Sequence, residues 1–256
     1  MEGRGHAGGG MRRRLAGSAA RSTVIGAVIV ILVALSASAQ APASTEPDLE
    51  GWRSDLDKAE QLLLKGGERR AERARELCDQ VYLSMLEWPG RGETASRLLA
   101  ETLVLLAVAE TRTGAVERGR WHWAVARNLR PELDQGRLAS FPDAAGELGG
   151  SGVRPDVVAP EEAGEGYVPP EPVGMVPIAY PGQIRRQGIE GTTEVLVVVD
   201  EAGLPAVPVL RSSCGVPGFD VAVMEAARQW TFSPATRGGR PVRGSYALRA
   251  TFELGS

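Results

Sequence analysis

Residues Gly191 to Asp200 read GTTEVLVVVD. Thr193, Val195, Val197 and Val199 fall on one face of an extended chain, and Glu194, Leu196 and Val198 on the other. A β-branched run that is apolar on both faces predicts a central strand. Glu201-Ala202-Gly203 follows as a turn, in which Gly supplies a positive φ. Ala206 to Arg211 is a second strand, and Pro208 within it places it at an edge, because Pro cannot donate to the ladder. Phe219, Ala222, Val223, Ala226, Ala227 and Trp230 then form one helical stripe, with Asp220, Glu225, Arg228 and Gln229 opposite. Arg243 to Leu254 alternates cleanly. Tyr246, Leu248, Ala250, Phe252 and Leu254 point inward, and Ala247, Arg249, Thr251 and Glu253 point outward. A short helix from Tyr180-Pro181 to about Gln187, ended by Gly188, precedes the whole. The expected fold class is α+β, with a helix packed on a three-stranded sheet. The last strand lies beside the first and keeps one edge free.

Upstream the pattern changes. Residues 148–175 are rich in Pro and Gly and read as an extended, unpacked linker. Residues 51–147 read as a helical domain. Ala71, Ala74, Leu77, Cys78, Val81, Tyr82, Met85 and Leu86 recur at three- and four-residue steps until Trp88-Pro89-Gly90 ends the helix. Leu98 to Ala109 is the apolar central helix, Gly114 breaks it, and Val116 to Leu129 resumes before Pro131. This second pair resembles a tetratricopeptide repeat on Ala107, Gly114, Gly119, Trp123, Ala126 and Leu129. Gly119 departs from the usual Ala, and Glu110 stands where an aromatic is common. A small helical hairpin bundle is the alternative. His122, between Trp121 and Trp123, reads as a packing or surface residue.

The N-terminus carries Arg12-Arg13-Arg14 and Arg21 before the apolar run Val24 to Leu35, and then Ser36-Ala37-Ser38-Ala39. Residues 1–39 therefore read as a secretory signal cleaved after Ala39, or as a membrane anchor. A net charge of −3 and the lack of a basic run interleaved with aromatics argue against nucleic acid. Cys78 and Cys214 lie in different domains and read as two free thiols. No Ser/His/Asp order, phosphate loop or metal spacing stands out, so no catalytic residue, cofactor or metal is assigned. The chain reads as a binding protein and not an enzyme.

Several ordered pieces of residues 176–254 carry a resemblance. They are Tyr180-Pro181, Gly188-Ile189-Glu190-Gly191, Val199-Asp200-Glu201-Ala202-Gly203, Arg211-Ser212-Ser213, Phe219-Asp220, Trp230-Thr231-Phe232-Ser233-Pro234-Ala235 and Gly239-Arg240-Pro241-Val242. In order and spacing they resemble the C-terminal domain of the TonB family. The resemblance implies a periplasmic or envelope protein of transmembrane transport. It also implies a TonB-dependent outer-membrane receptor as partner, whose short box adds as a strand to the last strand. Tyr180, Pro181, Arg243, Ser245, Ala247, Arg249 and Thr251 are the partner-binding candidates on this basis. ExbB/ExbD-type motor subunits and a second copy of the chain are further candidate partners. Ala179 stands where well-known members often have Gln, and the apolar run holds no His for coupling to a motor. A non-energised periplasmic adaptor is the alternative reading.

Overall fold

A computed structural model describes residues 28–33, 47–133, 138–149 and 165–255. The helical part opens with α1 (Leu49–Lys65), whose N-terminus is capped by the Asp48 carboxylate accepting from the Gly51 N–H at 2.8 Å. It continues through α2 (Glu68–Leu86), α3 (Glu93–Arg112), α4 (Val116–Leu129) and α5 (Pro142–Gly149). Each of the first four helices packs on the next. The run Leu103 to Ala109 in α3 is wholly buried, as its all-round apolarity predicts. Gly114 turns the chain between α3 and α4 at φ 84°.

The C-terminal part follows the pattern of its sequence. The short α6 (Gly182–Arg186) leads into β4 (Gly191–Val199) and β5 (Pro205–Ser212), then α7 (Pro217–Arg228), then β9 (Gly244–Leu254). β4 is central and antiparallel to both β5 and β9, with Val195 opposite Leu210 and Leu248. The architecture is α+β, a sheet with a helix packed on it. Phe219 of α7 stacks on Phe252 of β9 at 4.0 Å, and Tyr180 meets both rings edge-on. At the β4–β5 turn, Gly203 has φ 81°, and a Cβ there would lie 2.1 Å from the Phe232 carbonyl oxygen. Only Gly lets the turn sit this close and accept the Phe232 N–H at 2.9 Å.

Three expectations are altered. First, the stretch read as an unpacked linker is paired at its end. β2 (Tyr167–Val168) pairs with β7 (Ala235–Arg237), which pairs with β8 (Arg240–Val242), and β3 (Glu171–Gly174) pairs with β6 (Thr231–Ser233). Pro-rich backbone is already extended, so short ladders cost it little further entropy. The Trp230 indole also donates to the Val176 carbonyl at 3.0 Å. Second, the two parts are not held apart: one hydrophobic cluster runs through both. At Gly218 of α7 a Cβ would come 2.9 Å from the Leu86 carbonyl at the end of α2. Third, Val28–Val33 of the apolar run forms a strand, β1, lying parallel along β9 from Arg249 to Leu254. The sheet order is β1-β9-β4-β5, so the β9 edge expected to be free is filled in cis. The physical reason is that an open edge offers unpaired N–H and C=O groups to any compatible strand. The cleavage site after Ala39 lies outside the described residues. Among the described residues no helix is long and apolar enough to cross a membrane.

Candidate functional site

The two edges of the sheet are chemically different. The β9 edge is built from an 11-residue strand whose inward side chains are locked in the core. Tyr246, Leu248, Ala250 and Phe252 are all buried. On the opposite face, Arg249 lies across from Glu194 with their charges 3.7 Å apart, and the Thr192 and Thr251 hydroxyls are 3.2 Å apart. These cross-strand pairs hold β9 flat beside β4. Beyond them the ladder continues to β1, so residues 249–254 present their backbone to a six-residue parallel neighbour.

The partner-binding candidates divide into three groups. Arg243, Ala247 and Arg249 are exposed, and Thr251 is half-buried on the same alternation. Ser245 is 1% exposed, so its side chain is out of reach of a partner on that face. The resemblance offered it as a contact, but it lies opposite Val198 of β4, which is buried as well. Tyr180 and Pro181 act in packing. The Tyr180 hydroxyl donates to the Ile189 carbonyl at 2.5 Å, and Pro181 is buried at the start of α6.

Asp220, within the Phe219-Asp220 pair, is 2% exposed. Its two oxygens accept from the Thr193 hydroxyl at 2.8 Å and the Ser213 hydroxyl at 2.6 Å. It thereby ties α7, β4 and the β5–α7 loop together. Burial pushes its carboxyl up to about 6, against the two hydroxyl bonds that lower it.

The helical part meets the sheet domain through charge as well as through the shared apolar cluster. His122 of α4 is 2% exposed and Glu110 of α3 is fully buried. His122 Nδ1 lies 2.7 Å from a Glu110 carboxylate oxygen, and Nε2 lies 3.3 Å from a Glu225 oxygen on α7. Arg118 pairs with Glu110 at 2.8 Å, and Arg228 with Glu225 at 3.2 Å. Burial disfavours the imidazolium, but the two carboxylates outweigh it and raise His122 to about 9. Burial also pushes the Glu225 carboxyl up, and His122 and Arg228 reverse this to hold it below its ordinary value. His122 therefore sits between two carboxylates, the buried Glu110 and the part-buried Glu225, one from each part of the molecule. The sequence reading made it a packing or surface residue. The signal available was Glu110, a carboxylate twelve residues away that directly follows the apolar run Leu103 to Ala109.

The other edge, along β5, has a side chain on it. The Asn128 amide of α4 donates to the Pro208 carbonyl at 2.8 Å and to the Ala124 carbonyl of its own helix at 2.9 Å. Its oxygen accepts the Leu210 N–H at 2.7 Å. Among the described residues no group of three or more His, Cys, Asp or Glu could hold a metal. Cys78 and Cys214 are free thiols, and burial drives the Cys78 thiol well above its ordinary range.

Comparison with known proteins agrees with this geometry over the same residues. Residues 176–254 match the family described as Gram-negative bacterial TonB protein C-terminal. Protein TonB of Vibrio cholerae serotype O1 is 36% identical over 75 residues, which are 29% of this chain and 31% of that protein. Protein tonB2 of Pseudomonas aeruginosa is 33% identical over 75 residues, 29% of this chain and 28% of that protein. The chain spans less than a third of the length of either relative. With the sheet, its covering helix and the ordered motifs in register, residues 176–254 are a TonB C-terminal domain, joined in this chain to a helical domain.

Proposed function

We propose that this is a cell-envelope protein of transmembrane transport that grips a short extended segment of a TonB-dependent outer-membrane receptor by strand addition at β9. The observation that supports this reading is the β1–β9 ladder, in which residues 249–254 take a six-residue apolar strand in parallel. Main-chain bonds along such an edge supply affinity, and the exposed Ala247, Arg249 and half-buried Thr251 supply selection. The test is amide exchange on the full chain with and without a receptor-box peptide. Protection confined to residues 244–254 is the expected result. A peptide that binds while leaving those amides unchanged would overturn the proposal.

A second reading, a periplasmic adaptor without a motor, is favoured by one sequence observation. The only histidines are His6 and His122, and neither lies in Val24 to Leu35. ExbB/ExbD-type subunits are partners under the first reading and not under the second. The mass of the mature protein, taken from separated membrane and soluble envelope fractions, separates them. A soluble chain beginning at Gln40 supports the adaptor; a membrane-bound chain that keeps Val24 to Leu35 supports the transducer.

A further inference from the structure

A sheet with two open edges can take a partner strand on either side. Here one side is closed by a single side chain from the neighbouring domain. In an antiparallel strand the N–H and C=O of one residue point the same way, alternating along the chain. The Pro208 carbonyl and the Leu210 N–H both turn away from β4 toward Asn128, so they are the pair of groups that a neighbouring strand would engage. Pro208 has no N–H to lose on that outer side, which explains how Pro is tolerated within the strand. The Asn128 carboxamide supplies one donor and one acceptor at that spacing, and so stands in for a residue of the missing strand. Its second N–H is spent on the Ala124 carbonyl, which fixes the rotamer and leaves no amide hydrogen free.

The helix that carries Asn128 is itself fixed. Six residues earlier, His122 bridges Glu110 on α3 and Glu225 on α7. At the far end of the contact, Glu87 accepts the Gln183 N–H at 2.7 Å, which seats the end of α2 on α6. These contacts hold α4 along β5 as a rigid neighbour.

We infer that the helical domain is an edge guard: Asn128 seals the outer edge of β5, so that the β9 side, where β1 already pairs in cis, is the one side of the sheet that takes a strand. As a statement about partner selection, this rests on the strand-addition reading above. The sealing of β5 can be tested without it.

The experiment is residue-resolved amide exchange on the full chain and on N128L, which keeps the side-chain volume and loses all three bonds. Each is measured at low and high protein concentration, and again with a receptor-box peptide. The expected result is about tenfold faster exchange at Leu210 in dilute N128L, the change for one lost hydrogen bond. At high concentration, or with peptide, residues 206–212 of N128L regain protection through a second copy or a second peptide, and the wild type shows no such dependence. Unchanged exchange at Leu210 overturns the inference. Faster exchange with no recovery under any condition also overturns it, because Asn128 is then only a strut between domains. If N128L does not fold, N128A is read by the same criteria. A wild-type chain that ignores the peptide would sink the receptor reading, and the concentration series would still decide whether β5 is sealed.

Discussion

His122 shows how much one residue gains from its surroundings. Its ordinary pKa is 6.5, and its value of about 9 reflects a cation held between Glu110 and Glu225. Tyr82 and Asp79 of α2, Arg118 of α4 and Arg228 of α7 complete the charged and titratable groups around it. A raised folded-state pKa gives stability that is fully present below pH 6.5 and lost as pH rises through about 9. The wild type should therefore melt at falling temperatures across that window, and H122Q should show little such slope. H122A should cost roughly 3 kcal/mol near neutrality, because it leaves the buried Glu110 and the part-buried Glu225 carboxylates with only their Arg partners. Urea unfolding at pH 7 measures the cost, and a pH series of melting temperatures measures the slope. Asp220 is the acidic counterpart, raised from 3.8 to about 6 by burial. Its contribution is present below pH 3.8 and lost as pH rises through about 6. D220N keeps an acceptor for Thr193 or Ser213 and has no proton to lose. Its stability should be flat over that window where the wild type declines, and a melting series from pH 3.5 to about 7 would show the difference.

At the scale of the element, turns and edges matter most. Gly203 combines a positive φ with a carbonyl 2.1 Å from where its Cβ would be. G203A should therefore destabilise by more than about 2 kcal/mol, the left-handed penalty plus the cost of moving the Phe232 backbone. Chemical denaturation would reveal a smaller loss if the turn can shift freely. The β9 edge gives a second prediction. Because β1 occupies residues 249–254 in cis, a chain lacking residues 1–39 should bind a receptor-box peptide more tightly than the full chain. Fluorescence anisotropy on the two chains measures this. Equal affinity would mean that the cis strand does not compete.

The whole molecule behaves as one packed body across its described residues. The hydrophobic cluster runs from Leu56 of α1 to Phe252 of β9, and the contact between the two parts also carries the His122 bridge and the Asn128 bonds. A shared core couples the unfolding of its parts. Calorimetry should show one cooperative transition, and H122A should lower it or split it in two. Two resolved transitions in the wild type would mean that the interface contributes little. This arrangement also bears on the linker. At least part of residues 148–175 is used in pairing and not as a spacer, since β2 and β3 take up Tyr167 to Gly174.

Local pattern alone determined the long elements of the sheet domain, β4, β5, α7 and β9, and not the short strands β2, β3, β6, β7 and β8. The alternation of Tyr246 to Leu254, the two-sided apolarity of Val195 to Val199 and the stripe from Phe219 to Trp230 each fix a structure through contacts within one element's own period. The same holds for the break at Gly114 and the length of α4. The ordered TonB-like motifs were legible for a related reason: most of them are turns and core residues whose identity is set by the backbone they serve. What lies between elements was decided by the tertiary structure. Periodicity records which side of a residue is buried, but not what it is buried against. Ser245 has the parity of the exposed Ala247 and Arg249, yet it is buried. His122 and Asn128 look ordinary on their helix, and they take on their roles only where α7 and β5 arrive. The cis strand on β9 likewise needed the edge and the apolar run to be brought together, since hydrogen bonding between distant segments leaves no periodic trace in either one.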